Sequence, residues 1–111
     1  MVDNFMKCKY AWEKFHGAVH SLASEGDLKT RLIRAYVFNI TPLNRDNDIP
    51  KELLERYDEF VHLMTKVPAQ GDEGSVAATV NKMDEIEMER ATDLIIGLYD
   101  DLCRFMPNHY A

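Results

Sequence analysis

The stretch from Asp84 to Met106, DEIEMERATDLIIGLYDDLCRFM, constrains the fold most, because its apolar residues cover more of a helix than one neighbour can bury. Turned at about 100° per residue, Met88, Ala91, Leu94, Ile95, Leu98, Tyr99, Leu102, Phe105 and Met106 share one stripe. Ile96 and Cys103 widen it to roughly half the circumference, whereas a helix on a single partner needs an arc of only about 100°. Such a helix belongs among several others. Asp84 with Glu87 has the D-x-x-E form of a capping box and marks its start, and Pro107 marks its end. Its outer face is left with Glu89, Asp93, Gly97 and Asp100.

The rest of the chain reads as partners for that helix. Phe5, Cys8, Trp12, Phe15, Val19 and Leu22 recur at three- and four-residue steps, which predicts a helix over about 4–24. Glu25-Gly26 ends it, and Asp27 caps a second helix over about 28–40, stopped by Thr41-Pro42. LNRDND, from Leu43 to Asp48, reads as a polar connection. Pro50 then opens a third helix over about 50–67, with Leu53, Tyr57, Phe60, Met64 and Val67 on one face. After the loop PAQGDEGS, the segment 75–83 fits either a strand or a short helix; helix is favoured, since a strand without a partner cannot satisfy its backbone. The expectation is an all-α fold, a compact bundle of four to five helices in one domain spanning 1–111, with the last helix over about 84–106.

Charge narrows the function classes. The formal net charge is −6, which opposes sequence-independent attraction to nucleic acid or anionic lipid. Through Val67 there are ten Lys and Arg against ten Asp and Glu; from Pro68 onward there are three against nine, so the acidic excess belongs to the C-terminal third. The two cysteines, Cys8 and Cys103, both fall on inward-pointing positions and form no CxxC pair, as expected of buried thiols in a reducing compartment. No signal-like or membrane-length apolar run occurs, so the expected location is cytoplasmic, with no membrane partner.

Few constellations could carry chemistry. Two ExxH pairs occur, Glu13 with His16 and Glu59 with His62, and in di-metal bundles such pairs converge on the interior. Here Glu13 and His62 project away from their own apolar stripes, and the second helix offers no inward carboxylate. His16 and His20 are spaced to clasp a metal from one face, but the glutamate of HExxH is replaced by Gly17; His109 in the tail has no partner in sequence. No phosphate loop or nucleophile elbow is present. Gly97, inside the most apolar helix, points to a tight helix crossing, with close approach of a partner as the alternative. Arg31, Arg34 and Phe38 share the side of the second helix away from Leu32, where two guanidiniums beside an aromatic make a recognition patch. Glu89, Asp93 and Asp100 form a second patch of opposite sign.

Between Tyr10 and Tyr36 the string AWEKFHGAVHSLASEGDLKTRLIRAY, with its W-x-K start and K-x-R-L-x-x-A-Y helix, resembles a group of short uncharacterised bacterial helical proteins. GSVAATVNKMDEIE resembles them too. The resemblance implies a helical domain and brings no activity. The expected function is a non-enzymatic protein–protein interaction module, a small regulator or adaptor without cofactor or metal. Its partner would be a protein, with a homodimer as one form, and would not be nucleic acid directly; Arg31, Arg34, Phe38, Glu89, Asp93 and Asp100 would make the contact. Two rivals stand beside it: a phage or mobile-element inhibitor of a host nuclease acting through an acidic, nucleic-acid-mimicking surface, and a metal-dependent enzyme using the ExxH pairs.

Overall fold

The computed structural model describes residues 3–107, with side chains from Cys8 onward; Phe5 and His109 lie outside the described side chains. Among the described residues six α-helices follow one another: α1 (Asp3–Leu22), α2 (Leu28–Ala35), α3 (Arg45–Asp48), α4 (Leu54–Thr65), α5 (Gly74–Asn81) and α6 (Glu85–Cys103). The fold is all-α, with no strand among the described residues, and the segment after the loop is helix. The helix count is six where the periodicity predicts four to five. The addition is α3, inside the stretch read as a connection. Asn44 Oδ1 accepts from Asn47 N at 2.9 Å and Asp48 Oδ2 accepts from Asn44 N at 2.8 Å, so two polar side chains cap a helix too short to show an apolar period.

Local chemistry explains the other boundaries. Asp84 and Glu87 form the reciprocal capping box at the start of α6, and Asp27 accepts from Thr30 N at 2.9 Å at the start of α2. α4 is led in by a 3-10 turn, Lys51–Leu53, and the helix expected over about 28–40 ends differently from expectation. Its last five residues, Tyr36–Ile40, form a π-helical turn. Thr41 closes that turn twice on Tyr36 O, through its amide at 3.0 Å and its hydroxyl at 3.3 Å.

The core centres on α6. Its Ala91, Leu94, Ile95, Leu98 and Leu102 are buried and join one cluster with Ala11, Phe15 and Ala18 of α1, Leu32 of α2, and Tyr57, Phe60 and Met64 of α4. α6 is antiparallel to α1: Trp12 Nε1 donates to the Sγ of Cys103, at the far end of α6, at 3.4 Å. It is antiparallel to α4 as well, along three ion pairs, Arg56–Asp101, Glu59–Arg90 and Lys66–Glu87. Exposed pairs of this kind contribute about 0–1 kcal/mol each, so they fix register more than they hold the fold. Two residues expected in the apolar stripe are less buried than predicted. Cys103 is half-buried, and Ile96 is 48% exposed, on the rim of the face that Tyr99 and Cys103 turn to α1.

Candidate docking face on the last helix

The turn joining α1 to α2 sets up the site. Gly26 takes φ +108°, a left-handed conformation that costs glycine little, and reverses the chain. α2 then reaches back over the turn with two arginines. Arg31 donates from Nη1 to Leu22 O at 2.6 Å and from Nε to Gly26 O at 2.9 Å; Arg34 donates from Nη1 to Glu25 O at 2.8 Å and to Ser24 Oγ at 3.1 Å. Both guanidiniums therefore satisfy carbonyl and hydroxyl oxygens at the end of α1, where a cation also complements the helix dipole. Lys29 does the same for α5, donating to Asn81 O at 2.9 Å.

With α2 held in this way, its first turn faces the first turns of α6 across an open groove of about 640 Å³. Leu28, Met88 and Thr92 supply apolar surface, and Arg31, Glu85, Glu89 and Asp93 line it as polar groups. The structure thus brings together Arg31, Glu89 and Asp93. Asp100 lies farther along α6 and pairs with Arg104 at 3.1 Å. Arg34 is spent on the turn, and Phe38, 67% exposed on the π-helical turn, stands apart from the groove beside exposed Val37.

Glu89 and Asp93 make no ion pair among the described residues, whereas the acids on the other flank of α6, Glu87 and Asp101, are both paired. Ile86, which the sequence pattern did not single out, and Ile96, expected in the apolar stripe, also belong to the outer face. Ile86 is 76% exposed, and Ile96 joins it there. The signal for Ile86 was present in the sequence, since it falls opposite buried Ile95 on the helical wheel.

The metal-type pairs are dispersed. Glu13 and His62 are exposed, Glu59 is held by Arg90, and His16 is half-buried, stacked on Trp12 with centroids 5.3 Å apart and close to Tyr99 at 5.8 Å. The His16 ring is part of an aromatic ridge that continues to His20. No group of three or more His, Cys, Asp or Glu among the described residues is arranged to hold a metal ion. Gly97 marks no tight backbone crossing: a Cβ there would meet only the Arg56 guanidinium, at an ordinary 3.7 Å.

A smaller cleft of about 300 Å³ lies between Tyr36, Ile40, Tyr57 and Val61, rimmed by Arg45 and Asp58. Burial pushes both phenols up, Tyr57 to about 12 with help from Tyr36 and the carboxylates of Asp48 and Asp58. Arg45 grips Asp58 through two bonds of 2.7 Å and holds that carboxyl below its usual range. None of the six residues expected to bind a partner lines this cleft.

Comparison with known proteins returns no match to a family model, to a curated protein or to a solved structure. No described helix is long and apolar enough to cross a membrane.

Proposed function

We propose that this chain is a protein-binding module that docks a partner protein on the outer face of α6 and the groove beside it. One observation carries the reading: Glu89 and Asp93, without an ion pair among the described residues, stand over a groove floored by Leu28 and Met88, on a helix that also exposes Ile86 and Ile96. Apolar area ringed by charge is the anatomy of a specific interface, where burial supplies affinity and charge supplies steering and register. The aromatic Phe38, exposed on the π-helical turn, adds a second contact of the kind that contributes heavily to binding.

A second reading, an inhibitor presenting Glu89, Asp93 and Asp100 to a nuclease as surrogate phosphates, draws on the same carboxylates. The isoleucines among them weigh against it, because a cleft built for phosphate is polar and cationic. The test is affinity capture from lysate with wild type and with Glu89→Lys/Asp93→Lys, with and without nucleic acid digestion. Loss of a stoichiometric protein from the variant, at unchanged circular dichroism, is the expected result. An identical capture profile for both proteins would remove the docking face from consideration.

A further inference from the structure

We infer that the occupant of the α6 face is a basic amphipathic helix of another protein and not a second copy of this chain, an inference that rests on the docking reading above. The starting point is spacing. Ile86, Glu89, Asp93, Ile96 and Asp100 follow one another at steps of three, four, three and four, the interval at which one helix lies along another. At about 100° per residue they occupy an arc of roughly 80°, centred opposite the buried residues Ala91, Leu94 and Leu98. At 1.5 Å per residue the seam is about 21 Å long, close to four helical turns. It is a straight strip sized for one helix.

Its chemistry specifies that helix. Ile86 and Ile96 call for two apolar side chains, and Glu89, Asp93 and Asp100 call for cations. Glu89 and Asp93 have no ion-pair partner among the described residues, and the Asp100–Arg104 pair is exposed on both sides, so a partner's cation can displace it. The groove beside the first half of the seam gives depth. A Lys or Arg of the incoming helix can lay its methylene stem over Leu28 and Met88 and bring its charged end to Glu89 and Asp93.

The same strip is wrong for self-association. Laid antiparallel in register, two copies set Asp93 against Asp93, Ile86 against Asp100 and Ile96 against Glu89. Laid parallel, every acid meets its own counterpart. Either arrangement sets carboxylate against carboxylate along the seam, and like charges facing one another oppose association.

The probe is a labelled synthetic peptide whose a and d positions place Leu opposite the two isoleucines and Lys opposite the three acids. A scrambled peptide of the same composition and a version with Glu for Lys serve as controls, and anisotropy is read against the full chain. The ordered basic peptide is expected to bind, and to weaken about tenfold or more as salt shortens the screening length from about 8 Å to about 3 Å. Glu89→Gln/Asp93→Asn/Asp100→Asn should lower the affinity by about tenfold at low salt, and Ile86→Ser/Ile96→Ser should lower it at every salt concentration. All five positions lie outside the core, and circular dichroism checks that the fold persists.

Equal binding of the scrambled peptide, wild-type affinity in both variants, or a dimer in sedimentation that Ile96→Lys dissociates would each overturn the inference. Failure of the ordered peptide overturns it too. If a protein captured from lysate is nevertheless lost on Glu89→Lys/Asp93→Lys, the docking face stands and only this occupant is wrong; if capture is also unaffected, both readings fall.

Discussion

Asn39 sits on Gly17: a Cβ built on the glycine would stand 2.3 Å from the Asn39 Oδ1. The amide cannot simply swing away, because its Nδ2 donates to Ala35 O at 3.1 Å and to Ser21 Oγ at 3.3 Å, tying the π-helical turn to α1. Gly17→Ala should therefore cost about 1–3 kcal/mol, the range for overpacking a closed contact. Adding Asn39→Ala should recover part of that loss, and the two together form a double-mutant cycle readable by urea denaturation. Gly97→Ala is the contrast. With only the Arg56 guanidinium at 3.7 Å, it should gain up to about 1 kcal/mol from helix propensity.

The second prediction concerns the clasp. Arg31→Ala removes donors from Leu22 O and Gly26 O and should destabilise the chain by about 1–2 kcal/mol, with Arg31→Lys restoring little because the donors of an ammonium radiate from one nitrogen and do not reproduce the separate Nε and Nη1 positions. Charge reversal at Arg31 and Arg34 together should lower the melting temperature. A double reversal that melts like wild type would show that solvent replaces these bonds at no cost.

These two arginines mark the limit of what the sequence discloses. Capping is a rule over three residues, so Asp27 and the Asp84–Glu87 box are legible, as is the buried face of α6. α3 is not, because four residues carry no period and its caps look like loop composition. Arg31 and Arg34 read as exposed because their acceptors are backbone carbonyls of the preceding turn, which no spacing reveals. Glu89 and Asp93 are legible as a surface, but the groove beside them depends on the α1–α2 hairpin bringing Leu28 to the same groove as Met88. That is a tertiary fact.

Alkaline unfolding follows from Tyr57. Its phenol is pushed up to about 12 by burial, above the unfolded value near 10, so the neutral form is favoured in the fold. Stability from this group is fully present below the unfolded value and is lost as pH rises through the folded one. The urea midpoint should fall between about pH 10 and pH 12, with Tyr36, also raised by burial, contributing in the same direction. Tyr57→Phe should flatten that slope. At the acid end the sign reverses: Asp27, Asp58 and Glu87 are held low by hydrogen bonds to Thr30, Arg45 and Lys66 respectively, so their contribution is lost as pH falls below about 4.

Thr79 gives the last prediction, because it is the one buried polar residue among those described. Its hydroxyl accepts from Val67 N at 2.9 Å and faces Val67 O at 3.4 Å, so one side chain serves both backbone groups of the residue that leaves α4. No buried side-chain polar atom among the described residues is left without a partner, and this arrangement helps keep it so. Thr79→Val preserves shape and β-branching while deleting the oxygen. It exposes no cavity, so any loss is that of an amide hydrogen left unsatisfied in the interior, about 1–3 kcal/mol. Thr79→Ser keeps the oxygen and removes a methyl group, which should cost about 1 kcal/mol through packing alone. Amide exchange separates the two: the Val67 N–H should lose protection in Thr79→Val and keep it in Thr79→Ser. If Val67 stays protected in both, the loop after α4 is held by its apolar contacts, and the hydroxyl is incidental to the fold.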